Sequence, residues 1–281
     1  MTLNELFSMY SENERIKRGG MKTVYRVTKK TGELIALKLM SGANNPRNLQ
    51  EIEVMRKLCL DNVPSIINSG VVIDDIVGDE LLYVEEEFIE GMSLRDWLNL
   101  GNRADLSKAY NILKTLLNIE VELEKSGILH RDIKPDNIIE RNDGKLYLID
   151  FGIAKVIGGD SFTLTSAAMG PCTPGYAPHE QIANQKMKQD VRTDLYEIGV
   201  TIYEICTGIN PFRDLTDDLS TVIAKTVVKI PEPLRLEGDT NGLFSSLIAM
   251  LMAKNVSQRP DTALDALKYL DAIRLSLIMG E

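Results

Sequence analysis

The hydrophobic period of this chain changes once, close to residue 90, and that change limits the folds open to it. From about Glu14 to Glu90, "TVYRVT", "LIALKLM", "GVVIDDI" and "LLYVEEEFI" are β-branched or alternating, with a turn signal at Lys30-Thr31-Gly32, which predicts strands. One stretch interrupts them, "NPRNLQEIEVMRKLCL", where Leu49, Ile52, Val54, Met55, Leu58 and Cys59 recur at helical spacing after an Asn-Pro start. Beyond Gly91 the spacing is helical, with candidate helices near 93–100, 106–126, 191–207, 241–253 and 261–277. No internal repeat or low-complexity linker separates the two patterns. The expectation is an α+β protein of two lobes with a cleft between them. Residues 1–88 would form a small antiparallel β-sheet lobe with one helix, and 89–281 a larger, mainly helical lobe. A length of 281 residues with 44% hydrophobic content is enough for two cores.

Composition removes several functions. The formal charge is −9, from 41 acidic and 32 basic residues, so a general nucleic-acid surface is not expected, although a local basic pocket is compatible with it. Cys59, Cys172 and Cys206 have spacings that suit neither a disulfide framework nor a zinc site, as expected of a cytoplasmic protein. No run of 18 apolar residues occurs and the first 20 residues lack a continuous apolar segment, so neither a membrane span nor a signal peptide is read. The chain reads equally well as a domain of a longer, membrane-anchored protein.

The densest chemistry lies in "ILHRDIKPDNII", residues 128–139, where five charged or titratable groups sit between two apolar runs. His130, Arg131, Asp132, Lys134 and Asn137 match H-R-D-x-K-x-x-N, and Asp150-Phe151-Gly152 follows 18 residues after Asp132. Here the sequence resembles the protein kinase family, in particular the eukaryotic-like serine/threonine kinases of bacteria, and the resemblance extends over residues 15–275. It implies that Asp132 orients the attacking hydroxyl and accepts its proton, that Lys134 reaches the transferring phosphate, and that Asn137 and Asp150 hold Mg²⁺ on ATP. A lysine two residues past the base resembles serine/threonine rather than tyrosine kinases. Lys38, a cation amid the apolar strand "LIALKLM", needs a partner if buried. The resemblance supplies Glu51 as that partner and makes Lys38 the lysine on the α- and β-phosphates. It also puts Gly19, Gly20, Val24, Ala36, Glu87, Ile89 and Ile139 around the nucleotide. Further along, Glu180 in "TPGYAPHEQ" and Arg259 in "SQRPDTALDAL" are expected to pair, Asp194 to brace the catalytic-loop backbone, and Thr173 to contact Asp132 and Lys134.

Two features depart from the family pattern. Aligned on Val24, the glycine-rich loop has Lys17, Gly19 and Lys22 where the family has three glycines; backbone N–H groups of Gly19 to Thr23 would still cover phosphates, with Lys22 adding charge. In "LLYVEEEFIEGMSL", Glu86 occupies the usually apolar gatekeeper position. Strand alternation separates it from Glu85 and Glu87 and groups it with Val84 and Phe88. There it would compete with Glu51 for Lys38. Arg131 and Lys155 are expected to receive a phosphate on Thr163 or Thr165 of the activation segment, which also holds Ser161 and Ser166. The implied activity is an ATP- and Mg²⁺-dependent serine/threonine protein kinase, autophosphorylating through a transient homodimer. The alternatives are a pseudokinase acting as a nucleotide-regulated binding module, and a small-molecule kinase of the same fold, against which Glu180 and Arg259 argue.

Overall fold

The computed structural model describes residues 1–18, 22–58, 60–151, 154–156 and 170–279. Its chain divides into two compact units, Met1–Gly91 and Met92–Glu281. The first unit contains α1 (Leu3–Ser8), β1 (Tyr10–Arg18), β2 (Lys22–Lys29), β3 (Leu34–Ser41), α2 (Pro46–Lys57), β4 (Ile66–Ile73) and β5 (Glu80–Glu87). Its strands form one antiparallel sheet in the order β1-β2-β3-β5-β4. Alternation along β3 makes two cores. Ile35, Leu37 and Leu39 join Leu6, Tyr10, Val27, Val72 and Tyr83 on one face, while Met40 packs with Ala43, Ile52, Leu82 and Val84 on the other.

Sequence periodicity misses two of these elements and, in the second unit, the helix Leu219–Val228 and several short pieces of two to four residues. β1 buries Tyr10 and exposes the next eight residues, so it carries no alternation to read. α1 is six residues long, too short to show a period, and is set by a capping box between Thr2 and Glu5.

At the boundary lies the three-residue strand β6 (Gly91–Ser93). The second unit then runs through α3 (Leu94–Asn99), α4 (Leu106–Lys125), β7 (Ile128–Leu129), β8 (Ile138–Arg141), β9 (Leu146–Leu148), β10 (Lys155–Val156), α5 (His179–Ile182), α6 (Val191–Thr207), α7 (Leu219–Val228), α8 (Leu243–Leu251) and α9 (Ala263–Met279). α7 escapes prediction because its sequence, "LSTVIAKTVV", is β-branched and buries only Val222 and Thr226. The centre of this unit is α6, buried along almost its whole length and packed on α4 and α8. A helix enclosed on all sides must be apolar nearly throughout, which makes Asp194, Glu197 and Thr201 conspicuous. Asp190 caps its start and Gly208, at φ 77°, ends it. A Cβ at Gly208 would meet the Arg103 guanidinium at under 2 Å, so that flexible side chain would have to move aside, and the positive φ itself favours glycine. Among the described residues no helix is long and apolar enough to cross a membrane.

Candidate active site

Each unit holds its own set of candidate side chains, described separately. In the first unit the period of two puts Lys38 and Glu86 on the sheet face that carries α2. Glu85 lies on the opposite face, where its Oε1 accepts the Tyr10 hydroxyl at 2.7 Å. Ala36 pairs with Glu86 across the β3–β5 ladder and Val84 with Lys38, so Lys38 and Glu86 are diagonal neighbours. Lys38 Nζ lies 2.6 Å from Glu86 Oε2 and 3.9 Å from Glu51 Oε1. All three residues are buried. The expected Lys38–Glu51 pair is therefore not the close one. Glu51 instead accepts from Lys22 at 2.7 Å, so Lys22 neutralises a carboxylate in this arrangement. The Lys38–Glu86 contact is short but not aligned as a hydrogen bond, and Nζ retains donor capacity. Burial pushes the Glu86 carboxyl above the ordinary range, with Lys38 pulling against it. Val24 and Glu87 are half-buried, as is Ala36, and Ile89 is buried. Gly19 and Gly20 lie outside the described residues.

The second set grows out of the segment between β7 and β8. Lys134 Nζ donates to both Asp132 oxygens, at 2.9 and 2.8 Å, and to Thr173 Oγ1 at 2.7 Å. Thr173 in turn donates to Asp132 Oδ1. Asn137 Nδ2 donates to the Asp132 carbonyl and to Oδ2, both at 2.9 Å. The Asp132 carboxylate is thus held from three sides, by Lys134, Thr173 and Asn137. Asn137 Oδ1 is buried and has no partner among the described residues. A buried acceptor left open in this way is suited to a cation. Asp150 stands at φ 68° and Arg131 at φ 64°, backbone conformations that cost energy in non-glycine residues and collect at functional sites. Ile139 is half-buried on β8, opposite Tyr147.

Main-chain supports hold this loop in place. Asp194 accepts from His130 N at 2.8 Å and Arg131 N at 2.7 Å, and Gln181 Nε2 donates to the Arg131 carbonyl at 2.7 Å. Burial raises the Asp194 carboxyl to about 6 although both main-chain N–H groups favour its charge. His130 is fully enclosed, which lowers its imidazole to about 4, so it is neutral at physiological pH. Its Nδ1 accepts from Asp132 N at 3.2 Å, and Nε2 lies 3.3 Å from the Ile149 carbonyl. Arg131 donates to Gln189 Oε1 at 3.1 Å, and Lys155 Nζ to the Lys186 carbonyl at 2.8 Å. Burial, then Arg131, lowers the Lys155 ammonium. Ser161, Thr163, Thr165 and Ser166 lie outside the described residues. Glu180 and Arg259 meet at 2.6 Å with both side chains enclosed. Two supports are unforeseen in the sequence reading: Glu197 Oε2 accepts from Ile133 N at 2.6 Å and Thr201 donates to the Ile133 carbonyl at 3.2 Å. The available signal was polar residues recurring at 194, 197 and 201 within an apolar helix.

Comparison with known proteins adds an independent line. Residues 10–269 match the family described as Protein kinase domain. The chain is 30% identical to a probable serine/threonine-protein kinase of Clostridium perfringens, covering 96% of this chain and 39% of that protein. It is 29% identical to the probable serine/threonine-protein kinase PknB of Bifidobacterium longum, covering 90% of this chain and 38% of the relative. It is 28% identical to the serine/threonine-protein kinase PknL of Mycobacterium tuberculosis, covering 98% and 68%. The chain therefore spans about two-fifths of the length of the first two.

Proposed function

Because the chain belongs to the protein kinase family, we propose that it transfers the γ-phosphate of ATP to serine or threonine hydroxyls of a protein substrate, in a Mg²⁺-dependent reaction. The observation that carries this reading is the clamp on Asp132: Lys134, Asn137 and Thr173 hold its carboxylate, the group that would orient the acceptor hydroxyl and take its proton. Lys134 would offset charge developing on the transferring phosphoryl. Asn137, through its open Oδ1, and Asp150 would hold Mg²⁺, which supplies charge neutralisation on the phosphates when bound. Lys38 would contact the α- and β-phosphates. Val24, Ala36, Glu87, Ile89 and Ile139, with the backbone of Gly19 and Gly20, would surround the rest of the nucleotide. A protein acceptor rather than a small molecule is favoured by the Glu180–Arg259 pair, which ties α5 to the loop before α9. A cytoplasmic setting and a transient homodimer during autophosphorylation complete the proposal.

Incubation of the purified chain with labelled ATP and Mg²⁺, with and without a generic protein acceptor, tests it. Label on the acceptor or on the chain itself is expected, and mass spectrometry should place self-phosphorylation at Thr163 or Thr165, with Arg131 and Lys155 as receiving cations. Binding of ATP without any transfer would favour the pseudokinase. A fully active enzyme with every activation-segment hydroxyl unmodified would remove the phosphate switch.

The pairing of Lys38 with Glu86 gives a second expectation. ATP·Mg²⁺ must draw Lys38 away from a carboxylate 2.6 Å off, and this opposing contact lowers apparent affinity. Glu86→Met should release Lys38 toward Glu51, tightening ATP by a factor of about 5 and admitting apolar inhibitors beside the nucleotide. Calorimetric titration of Glu86→Met alongside Glu85→Met checks this. Loss of ATP binding in Glu86→Met, or a larger gain in Glu85→Met, would show that Glu86 does not oppose the nucleotide.

A further inference from the structure

Asp194, Glu197 and Thr201 are spaced by three and four residues, so they share one stripe of α6. Asp194 takes the N–H groups of His130 and Arg131. The other two take both main-chain groups of a single residue, Ile133: Glu197 Oε2 accepts its N–H at 2.6 Å, and Thr201 donates to its carbonyl at 3.2 Å. Glu197 is 1% exposed, and Thr201 and Ile133 are fully enclosed.

Ile133 separates Asp132 from Lys134. Lys134 is extended, at φ −157° and ψ 164°, and alternate side chains in extended backbone point the same way. Asp132 and Lys134 accordingly meet, with Lys134 Nζ on both carboxylate oxygens, while Ile133 is buried. Every residue from His130 to Ile133 except Asp132 thus has its amide nitrogen fixed by α6, and the Asp132 amide is taken by His130 Nδ1.

We propose that Glu197 is a positioning residue for phosphoryl transfer: by accepting the Ile133 N–H it fixes the peptide that sets Asp132 and Lys134 against each other. The inference rests on the kinase reading of Asp132 and Lys134. The position needs an acceptor and does not need a charge. Acidic neighbours surround it: Glu120 on α4, Asp194 on α6 and Asp132 on the loop, with Lys134 as the nearby cation and Cys172 also near. Both Glu120 oxygens are buried without a partner among the described residues. Burial, then Asp194 and Asp132, holds the Glu197 carboxyl well above the ordinary range, and a neutral carboxyl still accepts through its carbonyl oxygen.

The test compares Glu197→Ala, Glu197→Gln and Thr201→Val with the unaltered chain, reading kcat, KM for ATP, and the hydrogen-exchange rate of the Ile133 amide without nucleotide. Glu197→Ala should lower kcat by about 10- to 100-fold, leave KM for ATP within about twofold, and expose the Ile133 amide to faster exchange. Glu197→Gln, which restores an acceptor of the same shape, should recover kcat to within about threefold and restore amide protection. Wild-type kcat and a protected amide in Glu197→Ala would overturn the proposal, as would Glu197→Gln falling as far as Glu197→Ala. If Glu197→Ala does not fold, Thr201→Val decides: lower kcat with faster Ile133 exchange supports the anchor, and no change in either refutes it. Absence of transfer by the unaltered chain would instead remove the kinase reading, with the amide-exchange arm still deciding whether Glu197 holds the loop.

Discussion

Asp132→Asn is expected to lower phosphoryl transfer by about 10²–10⁴-fold while changing ATP affinity little. The substitution keeps the side chain's shape and removes its basicity. It also upsets the clamp. In the native arrangement every contact to the carboxylate is a donor: Lys134 Nζ to both oxygens, Asn137 Nδ2 to Oδ2, and the Thr173 hydroxyl to Oδ1. An asparagine amide supplies one acceptor oxygen and one donor NH₂, so one side of the clamp would face donor to donor. Proton acceptance and orientation both suffer, and neither belongs to nucleotide binding, so the loss should fall on kcat. Rapid-quench measurement of transfer beside equilibrium ATP binding separates the two. A variant that retains most of its rate would remove Asp132 from the reaction, and one that loses ATP affinity in proportion to rate would show a structural defect instead.

What could be read from the sequence depended on how each signal is encoded. The sheet and the long helices are written in hydrophobic spacing, and α6 occupies the expected residues 191–207 because a buried helix cannot hide its period. β1 could not be read that way: eight of its nine residues are exposed, and its strand conformation comes from the ladder to β2. Asp132, Lys134 and Asn137 were legible because three reactive types sit within six positions, where folding has little freedom to separate them. The ion pairs of the first unit were only partly legible. The family resemblance brings Lys38, Glu51 and Glu86 together, yet which carboxylate takes the lysine depends on a side-chain choice among three buried groups and on Lys22 arriving from β2. Glu197 was hidden for another reason. An acid in an apolar helix looks like an unfavourable exception until the Ile133 N–H that it satisfies is seen across 64 residues of sequence.

The largest stability effect is expected at Arg259, where Arg259→Ala should lower unfolding free energy by about 3–5 kcal/mol. Arg259 and Glu180 are 1% and 2% exposed at the side chain and meet at 2.6 Å. The guanidinium also donates to the carbonyls of Ala253 and Arg192, at 2.8 and 2.9 Å, and lies 4.7 Å from the Tyr196 ring centroid. Truncation to alanine removes all of these at once and leaves the Glu180 carboxylate enclosed without its cation, which is the costly half of breaking a buried pair. Removing both partners should therefore hurt less than removing the arginine alone. Glu180→Leu combined with Arg259→Met replaces the charges with apolar volume and should recover part of the loss, leaving the carbonyl acceptors of Ala253 and Arg192 as the residual cost. Urea unfolding of Glu180→Leu, Arg259→Met and the double variant, followed by tryptophan fluorescence and far-ultraviolet circular dichroism, measures the coupling. The surrounding contacts predict a second effect: Glu180 lies on α5, just beyond Thr173, whose hydroxyl completes the Asp132 clamp. Arg259→Ala should consequently lower kcat as well as stability, and the double variant should recover stability more fully than rate. Strictly additive stabilities in the three variants would mean that the pair contributes no coupling, and an unchanged kcat in Arg259→Ala would mean that α5 does not govern the placement of Thr173.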